Sequence, residues 1–227
     1  MFRTGLVFAF CFLTVLGFSQ EPRFKAGLTG GLVASDIPGT DTRDNDVDYN
    51  KLGFTLGALV NTRVNDKTLV QLEINYIQKG TEQKPDSNNQ GYFKLSLNYI
   101  EVPLLIRRRL HFSVFKRPST NFDLEAGASY GKIFSMAYVD GTNTPATLNP
   151  AAFNQTDISL LFGVDYNFNP NWAFCIRYTN SLIAAIKTDP LPAGYKYLSA
   201  LPYTFNHGDN VVIQFTIKFA FGPGGGS

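Results

Sequence analysis

Little in this chain is equipped for chemistry at neutral pH. Its 227 residues include two histidines, His111 and His207, and two cysteines, Cys11 and Cys175. That leaves no Cys/His cluster with metal-ligand spacing, and no glycine-rich phosphate loop is present. Charge is scarce as well. Asp, Glu, Lys and Arg make up 17% of the residues, against about 25% in soluble domains. The formal net charge of +2 comes without any basic stripe interleaved with aromatics, so no nucleic-acid partner is expected. No apolar run reaches the roughly 20 residues of a membrane-crossing helix. A mean hydropathy of −0.07 excludes a polytopic helical membrane protein, yet suits a barrel that alternates lipid-facing and lumen-facing residues.

Glycine (20), proline (12) and aromatics (14%) are plentiful, which favours strands and turns over helices. Arg3 followed by the apolar run Leu6–Phe18, with Gly17 and Ser19 behind it, predicts a secretory signal peptide over residues 1–19. A lipoprotein reading centred on Cys11 fails, because Phe10 stands where a small residue is needed. Removing residues 1–19 leaves Cys175 alone, so no intramolecular disulfide can form. Residues 20–221 read as one domain. Gly222–Ser227 has a flexible linker's composition and reads as a remnant outside that domain.

Amphipathic strands recur throughout. Val211, Ile213, Phe215, Ile217, Phe219 and Phe221 alternate with Val212, Gln214, Thr216, Lys218 and Ala220. The same alternation marks segments starting near Arg23, Gly53, Leu69, Tyr92, Asn121, Asp157 and Trp172, giving eight strands. In the long segment Tyr92–Phe115, Leu95, Leu97 and Tyr99 share one parity while Val102, Leu104 and Ile106 share the other. A bulge near Tyr99–Pro103 would reconcile them. Connections at 35–50, 79–91, 137–155 and 183–208 are long, and those near 65–67, 116–120 and 169–171 are tight. The polar faces mix small residues (Gly53, Gly57, Gly127, Gly163) with charges, whereas the apolar faces are bulky and end in aromatics. A soluble barrel would point its apolar face inward. Small residues with charges suit a narrow lumen, and bulky aliphatics with terminal aromatics suit lipid. The expectation is therefore an all-β, eight-stranded antiparallel transmembrane barrel, with four long extracellular loops and short periplasmic turns. Both termini would lie in the periplasm of a Gram-negative bacterium.

Within Leu95–Arg109, Tyr99, Glu101, Pro103, Leu104 and Leu105 resemble the Y-(L/I)-E-(I/V)-P-L-L segment of the PorT-like outer-membrane barrels of Bacteroidota, eight-stranded barrels of OmpA type. The stretch "FKAGLTGGL" and Phe221 also fit that pattern. The resemblance covers the whole mature layout but only about 15 residues of motif. It implies a non-enzymatic accessory or structural subunit of an envelope complex, of secretion or barrel-assembly type. Its partners would be outer-membrane lipid and lipopolysaccharide, other outer-membrane or periplasmic proteins, and the barrel-assembly machinery during biogenesis, for which Phe221 would be the signal. A small pore, or a surface-binding barrel such as an adhesin, stays open as an alternative.

Several groups carry the functional expectations. Glu73, Glu101, Glu125, Asp165, Arg177 and Lys218 should meet in the lumen as a charge network, because buried charges must pair. Arg177 would bridge Glu73, Glu125 or Asp165. Arg107, Arg108, Arg109, Lys116 and Arg117, with His111, should lie at the periplasmic end, to anchor at headgroups or dock an acidic partner. In the last long loop, Tyr195, Tyr197, Leu201, Tyr203 and Phe205 either meet an extracellular partner or cap the barrel mouth. Asp44, Asp46 and Asp48 begin like a calcium loop, but Tyr49 and Thr55 stand where its glycine and glutamate belong, so a solvated loop is expected. His207 and Asp209 lack a nucleophile, and no cofactor is called for.

Overall fold

The computed structural model describes residues 24–38, 49–84, 92–114, 117–140, 150–186 and 209–221. Within them lie β1 (Phe24–Asp36), β2 (Lys51–Asn65), β3 (Thr68–Gln83), β4 (Phe93–Val114), β5 (Arg117–Asp140), β6 (Thr156–Asn167), β7 (Trp172–Ser181) and β8 (Val211–Ala220). Each strand pairs antiparallel with the next, and β8 returns to β1, so the eight strands close into a barrel. Closure removes the free edges that hydrocarbon does not tolerate.

Two of the short connections show how sequence sets the turn. Asn65 Oδ1 accepts a hydrogen bond from Lys67 N at 3.0 Å. Asn169 Oδ1 accepts from Asn171 N and Trp172 N, both at 2.9 Å. These are asparagine side chains imitating a backbone turn. The β2–β3, β4–β5 and β6–β7 turns share one end of the barrel with the start of β1 and the end of β8, and the longer connections share the other.

The apolar face points outward. Leu104 is 55% exposed, Phe162 56% and Ile217 50%, while Glu73, Glu125, Asp165 and Arg177 are at most 2% exposed. On β4 the outward row Ile100, Val102, Leu104 and Ile106 lies between Asn98 and Arg108. At about 3.4 Å per residue and the usual tilt of about 40°, that interval stands about 26 Å tall, the height of a lipid-facing band. An aromatic cluster, Phe168–Trp172–Phe219–Phe221, lies at the short-turn end of this band.

The expected bulge in β4 does not occur. Phe93, Leu95, Leu97, Tyr99, Glu101, Pro103, Leu105 and Arg107 all face inward in one unbroken alternation. Opposite Val102 and Pro103 the paired positions of β3 skip Ile74 and Glu73 without a change of register, in keeping with the N–H that proline lacks. The parity change lies instead in β5. Asn98 faces Ser135 and Tyr99 faces Ile133, so Phe134 is the extra residue. Phe134 and Ser135 are both exposed, after which Met136 and Tyr138 turn inward. Leu95, Leu97 and Tyr99 are therefore lumen residues, and the upper lumen holds an apolar cluster beside the buried polar side chains of Thr81 and Gln83. The strands β3 and β5 also run on to Gln83 and Asp140, taking residues expected in loops.

The signal-peptide region 1–19, the acidic stretch with Asp44, Asp46 and Asp48, Lys116, His207, the loop residues Tyr195, Tyr197, Leu201, Tyr203 and Phe205, and residues 222–227 lie outside the described residues, as do the side chains of His111 and Arg117.

Candidate functional site: an ion-paired lumen beneath an apolar cap

Inward positions on neighbouring strands bring the charges to common levels. Glu125 on β5, Gly163 on β6 and Arg177 on β7 stand side by side in register. Gly163 has no side chain to intervene, and Arg177 Nε reaches over it to Glu125 Oε1 at 2.6 Å. The same guanidinium also crosses the bore. Its two terminal nitrogens meet Glu73 at 2.8 and 2.9 Å. β7 and β3 are four strands apart in a ring of eight, so this ion pair joins opposite walls.

Lys218 on β8 spans to Glu125 at 2.6 Å and Asp165 at 2.8 Å. Asp165 and Asp123 are direct cross-strand neighbours, a like-charge pair that needs a cation between them. Arg107 supplies it, with Nε 2.7 Å from Asp165 and Nη2 3.0 Å from Asp123. Arg109, about one-third exposed at the rim, reaches Asp123 at 3.5 Å. Gln71 and Asn75 donate to the two oxygens of Glu73 at 2.5 and 2.7 Å. The network thus matches four cations with four carboxylates and fills the bore from wall to wall. Broken singly, a buried pair of this kind costs about 3–5 kcal/mol.

A second cluster lies toward the long-loop end. Lys79 Nζ contacts Asp157 at 2.9 Å and Glu101 at 3.2 Å, over the ring of Tyr99. Ser129 donates to Glu101, and Ser159 and Ser181 donate to Asp157. Above it sits the apolar cap. Val33, Ile77, Leu95, Leu97, Ile133 and Tyr138 pack with Ile37, Phe153, Ala185 and Ile186 from the long connections. A backbone bridge links Phe153 to Ile186, and Asn154 N donates to Ala185 O at 2.9 Å. Each large apolar side chain buried here contributes about 1.5–3 kcal/mol.

Of the lumen residues expected from sequence, Glu73, Glu125, Asp165, Arg177 and Lys218 come together, while Glu101 belongs to the separate Lys79 cluster. Arg177 takes Glu73 and Glu125, and Asp165 goes to Lys218 and Arg107. Arg107, expected at the periplasmic rim, is a lumen residue, 6% exposed. Arg108 faces outward and is exposed. Lys79, Asp123 and Asp157 join these clusters without having been expected from sequence. Asp123 shares the parity of Glu125, and Asp157 that of Asp165, which was the available signal.

Glu125, Asp165 and Cys175 bring three donor atoms within 4.8 Å of one another. The position a metal would take between the two carboxylates already holds the Lys218 ammonium. The Cys175 thiol is fully buried and donates to Glu125 at 3.2 Å, so no substrate reaches it. The depression at the short-turn end, between Arg63, Asp66, Lys67 and Arg109, has a volume of about 10 Å³, room for about one water.

Residues 18–187 match the family described as Outer membrane protein beta-barrel domain. The chain belongs to this family, whose membership implies an outer-membrane location. No curated protein matches it. Among solved structures it is similar to Ail of Yersinia pestis, crystallised with the heparin analogue sucrose octasulfate (14% identity, 88% of this chain and 99% of that one, TM-score 0.45). It is also similar to Neisserial surface protein A (14%, 87% and 97%, 0.44) and to CarO of Acinetobacter baumannii (13%, 87% and 97%, 0.46). At these identities no activity is carried across.

Proposed function

We propose that this outer-membrane barrel is a non-enzymatic accessory or structural subunit of an envelope protein complex, of the PorT-like kind that its Tyr99–Leu105 segment resembles. Its short turns and both ends of the chain would face the periplasm. The observation that carries this reading is the Arg177–Glu73 pair across the full bore, with the Lys79 cluster and the apolar cap stacked beyond it. A barrel filled in this way has no use for its interior beyond stability, so its work falls to its outer wall and its two ends. Lipid and lipopolysaccharide would surround the belt.

Mild detergent extraction of a tagged chain from the native membrane, followed by mass spectrometry of the eluate, tests the reading. The expected result is a stoichiometric set of envelope proteins that persists at high dilution. A monodisperse barrel without partners, or single-channel conductance from the pure protein in planar bilayers, would overturn it in favour of a surface-binding barrel or a small pore.

A further inference from the structure

The hairpin of β4 and β5 reaches beyond its neighbours at the short-turn end. The β3 ladder stops at Thr68 opposite Arg108, with one further bond from Arg109 N to Lys67 O at 2.8 Å. The β6 ladder stops at Tyr166 opposite Phe122. Beyond those points β4 and β5 still pair with each other, Phe112 with Ser119, Ser113 with Pro118 and Val114 with Arg117. A two-stranded ribbon therefore leaves the barrel wall, with neither outer edge carrying a strand partner among the described residues.

The two edges differ. Backbone N–H groups along a strand point alternately to its two sides. Because Arg109 N points to the β3 side, the N–H groups of His111 and Ser113 point to that same side, away from β5. The edge of β4 thus offers donors in sequence with their carbonyls. On β5 the equivalent outward position is Pro118, which has no N–H, and proline there blunts an edge. Next to the open edge stand Arg63 and Lys67, both exposed, with Arg109 beside them at the mouth of the bore, while Arg108 is exposed on the outer face of β4. Asp66 is the one exposed carboxylate among the residues lining this corner.

We infer that the β4 edge from Leu110 to Val114 is a docking strand, which accepts an extended acidic segment of a partner protein by strand addition. Main-chain hydrogen bonds to the N–H and C=O groups of His111 and Ser113 form the seam, and the Arg63–Lys67–Arg109 corner selects carboxylates. This deepens the subunit reading by naming the surface and the chemistry of its partner. It can be tested on the isolated barrel whether or not any complex is recovered from cells.

The probe is a ten-residue peptide alternating valine and glutamate, fluorescently labelled, titrated by anisotropy against the refolded full chain in detergent. Ser113→Pro removes an N–H from the open edge without touching a β4–β5 hydrogen bond. A second variant excises residues 111–121 and joins Leu110 to Phe122 through Asn-Gly, a two-residue hairpin turn. Both should migrate on gels as folded, heat-modifiable barrels. The expected result is saturable binding that weakens with salt and falls about tenfold or more in both variants. The same peptide N-methylated at alternate amides should bind no better than the variants do. Equal binding by Ser113→Pro, or equal binding of the N-methylated peptide, would overturn strand addition and assign the corner to simple anion attraction, as for lipid headgroups. No binding of the acidic peptide to the parent chain would overturn the proposal altogether.

Discussion

Arg177 and Glu73, 104 residues apart in sequence, form a two-pronged ion pair across the full bore of the barrel, at 2.9 and 2.8 Å. A guanidinium presents two parallel donors to a carboxylate, a geometry that lysine cannot supply. Because Arg177 also holds Glu125, it ties β3, β5 and β7 together at one level.

Arg177→Leu should therefore lower stability by about 3–5 kcal/mol, because Glu73 and Glu125 are left buried without their main cation. The midpoint of the heat-induced shift on gels reads this directly. Arg177→Leu combined with Glu73→Leu should recover part of the loss, since removing both charges spares the desolvated carboxylate. An unchanged midpoint in the single variant would refute the tie.

Gly163 should be intolerant of even one added carbon. A Cβ there would lie 2.7 Å from Glu125 Oε1 and 2.9 Å from the carbonyl of Ile176, so Gly163→Ala should cost about 1–3 kcal/mol. Gly131 is the comparison. Its nearest neighbours would be Tyr99 Cδ1 at 3.4 Å and Asp157 Cβ at 3.5 Å, ordinary contacts, and Gly131→Ala should stay within about 0.5 kcal/mol of the parent. Equal effects from the two would mean that the room beside Glu125 does not matter.

The strand count and the outward direction of the apolar faces were legible in sequence, because period-two alternation recurs in segment after segment along the chain. The long strand was misread for a physical reason. Leu95, Leu97 and Tyr99 are as apolar as any lipid-facing residue, and alternation alone cannot tell a lipid face from an apolar lumen. What separates them is Phe153, Ala185 and Ile186, which come from distant connections to cover the upper bore. Arg107 has the parity of Pro103 and Leu105, opposite to Val102, Leu104 and Ile106, and so faces the lumen with or without a bulge; reading it as one member of the basic run Arg107–Arg109 hid that alternation. The pairing of particular charges was not readable, because side chains cross the bore between strands far apart in sequence.

The bulge in β5 gives a test of facing that needs no stability measurement. Ser135 is exposed and Met136 packs on the apolar cap. In the folded barrel Ser135→Cys should react quickly with a small maleimide and Met136→Cys slowly, with the buried Cys175 silent as an internal control. After unfolding, all should label. Reversed or equal rates would move the extra residue back into β4.

Phe221 continues the outward row of β8 at 49% exposure, with its ring edge-on to Phe219 at 5.1 Å. Its N–H donates to Ala26 O at 2.7 Å, across the seam where β8 meets β1. Replacing it by Asp puts a charge at the band's margin, where the cost to a finished barrel is only about 0–1 kcal/mol. Stability alone therefore gives no reason for Phe221→Asp to fail. Phe168 belongs to the same aromatic cluster, is 50% exposed, and lies in the β6–β7 turn. If Phe221 acts as an assembly signal, Phe221→Asp should be depleted from the outer-membrane fraction while Phe168→Asp accumulates like the parent. Phe221→Tyr, which keeps the aromatic ring, should also accumulate. Equal amounts of the two Asp variants would leave Phe221 as a lipid-facing residue and nothing more.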